Sequence, residues 1–288
     1  MNRFIRLRLL AMLLCLPFLL IFISGCGSSS QKKDEPPVYS PLQVLVPEAT
    51  GKETLGSSPM ILDVSNISQG YFIAQSDSSD LTCSLQIISP SGVLYSYFIA
   101  PGESATVTFT EGSGDYTITG YQQVQGDQYA ALYSETVTVQ LENDFLPFLY
   151  PNQYVNFTPD SKASQLALSL IDEDTVDVDA LQQIYDYVVS NLTYDYEKAD
   201  TVTTGYLPDV DETLKTGTGI CFDYAALTTA MLRSCDIPCK LQIGYAGDIK
   251  HAWIDVYIRS KGWVNQAVSF KGDTWTLMDP CLLYTSDA

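Results

Sequence analysis

The spacing of apolar residues changes near the middle of the chain, and this change constrains the fold more than any other feature of the sequence. From about Pro59 to Gln140, short runs alternate apolar and polar residues, as in "LTCSLQIIS", "DYTITGY" and "ETVTVQL". Turn-forming segments such as "SPSG", "APGES" and "EGSGD" separate these runs. Short alternating strands at intervals of about ten residues predict an all-β, sandwich-like domain over residues 59–146.

The spacing becomes helical after a connector rich in aromatic residues and proline, "LENDFLPFLYPNQYVNFTPDS". In "DVDALQQIYDYVVSNLTYD" the apolar residues recur every three or four positions, with Asp177 or Asp179 as the candidate N-cap. A further helix is predicted over "CFDYAALTTAMLRS", and four strand-like runs follow it, from "KLQIGYA" to "TWTLMDP". Helices followed by an antiparallel meander predict an α+β domain over residues 147–280.

The N-terminus has the pattern of an export signal. Three arginines precede an uncharged apolar run that closes on small residues, and the run ends in "ISGC" at Cys26. This ending resembles the bacterial lipobox, which implies cleavage before Cys26 and its lipidation; a plain membrane anchor or a secretory signal with a chance cysteine is the alternative. We therefore expect a signal peptide over residues 1–25 and a protein held by lipid on the extracytoplasmic side of the bacterial cell membrane.

Composition limits the partners of the remaining chain. Residues 26–58 start with a polar segment containing Pro36 and Pro37, which predicts a disordered tether. The formal charge is -19, from 34 acidic and 15 basic residues, and this excess of acid argues against binding to nucleic acid. Residues 281–288, "CLLYTSDA", resemble a translated sequencing adaptor, so Cys281 is assigned no role.

Two residue types that support thiol chemistry lie in the α+β region. Cys221 begins a predicted helix, where the helix dipole and free N–H groups favour a reactive thiolate. Gly217 and Gly219 precede it, where they permit a tight turn and would leave space for a substrate carbonyl. The backbone N–H of Cys221 is one candidate donor to an oxyanion, and Tyr206 is a second. His251, the single histidine, begins a later strand and is the candidate acid and base.

A carboxylate completes the set, because Asp279 ends the last predicted strand and could orient the imidazole. The stretches "GICFDYAALTTAMLR", "DIPCKLQIGYA", "HAWIDV" and "DP" resemble, in this order, the transglutaminase-like superfamily. The resemblance covers about residues 160–280, although the chain departs from the family after Pro280. It implies a papain/transglutaminase-like fold, the triad Cys221, His251 and Asp279, and no metal or cofactor.

The implied reaction is thiol acyl transfer on peptide or glutamine carboxamide bonds of a protein or peptide substrate, by hydrolysis or by amine crosslinking. A non-catalytic surface module that keeps the fold for binding is the alternative. Asp223 is interpreted as complementing the helix dipole, and Trp253 as either core or a shield for the imidazole. Cys235 and Cys239 are interpreted as core residues rather than half of a zinc site, which needs about four ligands.

Overall fold

The computed structural model describes residues 34–172, 174–203, 205–246, 249–271 and 274–277. The predictions for Cys26, for Asp279 and for residues 281–288 therefore lie outside the described residues. Among the residues inside these ranges, no helix has the length and apolar character needed to cross a membrane.

Two four-stranded antiparallel sheets form the N-terminal part, in agreement with the predicted sandwich. The strand orders are β1-β2-β3-β6 and β5-β4-β7-β8. Inward-facing residues of both sheets, such as Phe72 and Ile118, share one buried cluster. The strands are β1 (Thr54–Ser57), β2 (Met60–Asp63), β3 (Tyr71–Ser76), β4 (Cys83–Ile88), β5 (Leu94–Ile99), β6 (Ser104–Thr108), β7 (Gly114–Gln125) and β8 (Gln128–Val139).

The second part contains helices and then a four-stranded antiparallel sheet of order β11-β12-β13-β14, so the predicted α+β class is confirmed. A short parallel pair, β9 with β10, lies before the longest buried helix. The elements are α1 (Lys162–Leu170), α2 (Asp177–Asn191), β9 (Thr193–Tyr194), α3 (Tyr196–Thr201), α4 (Val210–Thr216), β10 (Thr218–Gly219), α5 (Cys221–Ser234), β11 (Cys239–Ala246), β12 (Ile249–Ile258), β13 (Gly262–Lys271) and β14 (Thr274–Leu277).

Helix α5 is the centre of this second core. Every residue from Asp223 to Ser234 is buried, and the helix packs against α1, α2, α4 and the sheet. The predicted N-caps of α2 are wrong, since Val176 holds the cap position. Asp177 instead accepts a hydrogen bond from the backbone N–H of Arg259 at 2.7 Å, which joins α2 to the end of β12.

The aromatic connector is packed. The ring of Phe145 lies 4.4 Å from that of Tyr257, and Phe148 lies 5.0 Å from Trp263. Tyr154 packs against both hydrophobic cores, so the connector joins them. Separate folding of the two predicted domains stays a prediction.

The predicted disordered tether is wrong from Pro36 onward, because residues 36–45, here called the strap, are packed against the folded chain. Val44 and Leu45 are buried, and the Tyr39 N–H donates to Asp236 Oδ2 at 3.1 Å. The Arg259 guanidinium donates to the carbonyls of two strap prolines. Burial of these apolar side chains offsets the entropy lost on ordering, which proline already reduces in the unfolded chain. The tether range also includes β1.

Candidate active site

Cys221 is the first residue of α5, as predicted, and it is partly exposed. The loop before it is fixed by the parallel β9–β10 pair: Thr193 N–H donates to Gly217 O at 2.8 Å, and Asp195 N–H donates to Gly219 O at 2.9 Å. These bonds hold the start of α5 against the segment that follows α2. The position of the thiol is therefore set by backbone contacts from two separate parts of the chain.

Of the two glycines before Cys221, Gly217 has the predicted role in a tight turn, and Gly219 does not have the predicted space beside it. Gly217 has φ +64° and ends α4 in the left-handed conformation that glycine adopts without strain. At Gly219, a Cβ would lie only 2.7 Å from the Cβ of Asp223. The space at Gly219 is thus taken by Asp223, and the expectation that it accommodates a substrate carbonyl is wrong.

His251 lies in β12, opposite Gly244 of β11. Its side chain is only 8% exposed, and within the described part of the chain its buried Nδ1 atom has no hydrogen-bond partner. The Trp253 ring lies 5.3 Å from the imidazole and covers Gly244, where a Cβ would come within 2.7 Å of it. Trp253 is partly exposed and lies beside the imidazole, so its contacts favour the interpretation as a shield over the interpretation as core.

The thiol of Cys221 lies against the backbone of β12 at Ala252. The backbone N–H of Ala252, the residue after His251, stabilises the thiolate, as does that of Phe222. Burial raises the pKa of the Cys221 thiol, while the backbone hydrogen bonds of Ala252 and Phe222 act in the opposite direction. Among the described contacts, no hydrogen bond joins Sγ to the imidazole. Catalytic hydrogen bonds are often long without substrate and tighten when it binds.

The other cysteines of the α+β part are core residues, in line with the favoured interpretation. Cys239 donates to Thr229 Oγ1 at 3.5 Å, and burial raises the pKa of Cys235 and of Cys239 to about 12. Among the cysteines of the described ranges, Cys221 is the one that is not buried. It is therefore the thiol that solvent and a substrate can reach.

The carboxylate that would orient His251 stays a prediction, since Asp279 lies outside the described residues. β14 is described as far as Leu277, which pairs with Val268, and Val268 in turn pairs with Ile254 of β12. Asp255 is a buried carboxylate on the same strand as His251, but its Oδ1 accepts the backbone N–H of Gln266 at 2.7 Å. Asp255 is thus already used in fixing the bulge between β12 and β13.

A polar cluster beside Cys221 includes Lys198, a residue that the sequence analysis did not single out. The Tyr206 hydroxyl donates to Asp223 Oδ1, and Lys198 Nζ lies 2.7 Å from both Asp223 Oδ2 and the Tyr206 oxygen. Burial and the bond to Asp223 raise the pKa of Tyr206 to about 12. Since its proton goes to Asp223, its contacts do not favour the expected oxyanion role. An acidic residue in a fully buried helix was the signal that a cation had to be nearby.

Comparison with known proteins finds a family match in the α+β part. Residues 164–280 match the family described as the transglutaminase-like superfamily. A candidate cysteine protease from Cytophaga hutchinsonii matches with 18% identity and a TM-score of 0.36, over 76% of this chain and 78% of that one. A candidate protease from Parabacteroides distasonis matches with 15% identity and a TM-score of 0.31, over 70% of this chain and 43% of that one. No curated protein matches the chain.

Proposed function

Because residues 164–280 match the family described as the transglutaminase-like superfamily, we propose that this protein is a thiol acyltransferase or hydrolase with Cys221 as its nucleophile. The observation that carries the proposal is the meeting of a partly exposed helix-start thiol with the strand that bears a buried imidazole. The Ala252 N–H, one residue after His251, stabilises the Cys221 thiolate. Covalent catalysis needs a base within reach of the nucleophile, and we propose His251 for this role.

In the proposed reaction, His251 takes the proton of Cys221 and the thiolate attacks a carboxamide or peptide carbonyl carbon. The carbonyl becomes an oxyanion, for which the backbone N–H of Cys221 is the proposed donor. The C–N bond then breaks, and His251 gives its proton to the leaving amine, which leaves a thioester on Cys221. Water releases the acid, or a primary amine forms a new amide, with His251 accepting the proton of the attacking group and returning it to sulfur.

The exposed side chains of Ile243 and Tyr245 on β11, here called the shelf, favour a polypeptide substrate. Ile243 of β11 pairs directly with Ala252, and Tyr245 lies two residues further on the same face of that strand. Their side chains are 42% and 72% exposed, and β11 is an edge of the described four-stranded sheet. An extended peptide can lie along such an edge and place an apolar side chain on the shelf. We expect Tyr245→Ala to raise KM more than it lowers kcat.

The test of the proposal is iodoacetamide labelling across pH, with the modified residue identified by mass spectrometry. We expect Cys221 to label before Cys235 and Cys239, and His251→Ala to slow its labelling and abolish turnover. Amine release from casein and incorporation of a fluorescent primary amine distinguish hydrolysis from crosslinking. Cys235→Ala is the matched control and should change neither assay.

One observation favours a second function, namely a binding module without catalysis. The Cys221 thiol has a raised pKa, and no hydrogen bond to His251 is found in the described part of the structure. If Cys221 labels no faster than a free thiol and His251→Ala leaves that rate unchanged, this second function replaces the first.

The proposal also includes the location of the protein. The support is the N-terminal sequence, in which an apolar run ends at Cys26. Lipid on Cys26 would hold the protein at the membrane on its extracytoplasmic face, since two or more acyl chains anchor stably.

A further inference from the structure

The first turn of α5 carries two acidic groups that compete for the same helix end. Cys221 is its first residue, and Asp223, two residues later, is fully buried. Asp223 Oδ2 accepts the backbone N–H of Ile220 at 2.8 Å, so its carboxylate already uses the positive end of the helix. Burial, and then the charge of Asp223, raise the pKa of the Cys221 thiol. A thiolate at Cys221 therefore requires that the charge of Asp223 be offset.

Lys198 of α3 provides this offset. Its ammonium lies 2.7 Å from Asp223 Oδ2, and its side chain is 30% exposed, while the carboxylate is fully buried. Tyr206 donates to the other carboxylate oxygen and accepts from the same ammonium, so both oxygens of Asp223 have donors. Burial alone would lower the pKa of Lys198, but its hydrogen bonds to Asp223 and Tyr206 raise it above its ordinary value. The lysine is therefore charged at neutral pH.

We propose that Lys198 and Tyr206 are positioning residues for the reaction, which neutralise Asp223 so that the start of α5 can hold a second negative charge on Cys221. This inference rests on the proposed function, because it assigns a role only beside a nucleophilic cysteine. Two more titratable groups belong to this region, namely Tyr194 of β9, whose charge would act on the thiol, and His251 of β12. Both are kept unchanged in every variant below.

The experiment measures the pH midpoint of iodoacetamide labelling at Cys221, by mass spectrometry on the full chain. Lys198→Met should raise the midpoint by about one pH unit, which is about a tenfold slower labelling below it, because Asp223 then acts unopposed. Lys198→Arg should restore most of the shift. Lys215→Met removes a lysine from an exposed pair with Glu212, also at 2.7 Å, and should leave the midpoint unchanged.

A second set of variants covers the case in which Lys198→Met does not fold. Asp223→Asn can still accept from Ile220 N–H, and it should lower the midpoint, because the carboxylate charge is gone. The double variant Lys198→Met with Asp223→Asn has neither charge, and its midpoint should return to that of the parent protein. A midpoint that stays unchanged in Asp223→Asn, or that moves as much in Lys215→Met as in Lys198→Met, overturns the proposal. If the midpoints shift as expected but the parent protein shows no turnover, the proposed function is refuted and the role of Lys198 and Tyr206 is not.

Discussion

Asp236 offers a prediction whose size can be worked out from the structure. This carboxyl, in the turn between α5 and β11, is 3% exposed and accepts the N–H of Tyr39 from the strap. Burial raises its pKa from 3.8 to about 7, although the bond to Tyr39 and the charge of Arg259 act in the opposite direction. The folded protein therefore binds a proton here that the unfolded chain has lost at neutral pH.

The sign of the effect follows from this raised pKa. A carboxyl with a higher pKa in the folded state contributes stability below its unfolded pKa, near 4, and this stability is lost as pH rises through about 7. Relative to low pH, where the carboxyl is protonated in both states, a pKa shift of roughly three units lowers the free energy of unfolding by about 4 kcal/mol at pH 8. At pH 4 the same shift lowers it by only about 0.5 kcal/mol. A cavity of about 280 Å³ borders Asp236. Because solvent in this cavity would screen the charged carboxylate, the energy given for pH 8 is an upper limit.

Asp236→Asn removes the penalty while it keeps an acceptor for the Tyr39 N–H. Asparagine also tolerates the backbone here, since φ of Asp236 is +58°. We expect the variant to exceed the parent in free energy of unfolding by about 2–4 kcal/mol at pH 8, and to differ little at pH 4. Urea unfolding at both pH values measures this, and Asp160→Asn, at an exposed position, controls for the loss of one charge. A difference that is the same at both pH values would refute the reasoning.

Three further predictions concern other parts of the chain. Asp279→Asn should leave KM nearly unchanged but lower kcat by about 10³-fold or more if Asp279 sets the imidazole tautomer, and unchanged kinetics would exclude that role. Arg233→Met should lower the free energy of unfolding by about 2–4 kcal/mol in urea, because the buried carbonyls of Tyr150 and Cys239 lose their donor; an unaffected midpoint would contradict this. Cys26→Ser should release the protein into the soluble fraction or leave it uncleaved, and an unmodified N-terminus beyond residue 26 in the parent protein would exclude the lipid.

Periodicity was enough to predict the two architectures, because alternation and helical spacing record which side of each element is buried. Leu85 and Ile87 show this in β4, and Leu181 and Ile184 show it in α2. The strap was missed because its contacts are with residues about 200 positions away, and no local pattern in "PPVYSPLQ" reports them. Loops rich in proline and polar residues look alike whether or not a distant partner holds them.

The site was predictable in its residue types and not in its electrostatics. Cys221 and His251 could be singled out because helix starts and a single histidine are visible in the sequence. The raised pKa of the thiol depends on burial, which only the packed structure defines. Lys198 lies 25 residues from Asp223, on a short helix with no marked pattern, so its ion pair became visible only when α3 was placed beside α5.

The strap also has a consequence for the order in which the protein is completed. Its bonds to Asp236 and Arg259 join residues 197 to 223 positions apart, whereas synthesis starts from the N-terminal end. The strap is therefore made first and docks last, after the rest of the chain has emerged. Until then the carbonyls of Pro36 and Pro37 lack the Arg259 guanidinium that donates to them, so a chain truncated before Arg259 could not complete the docking of the strap. Complete docking of the strap is thus possible only after β12 has been synthesised.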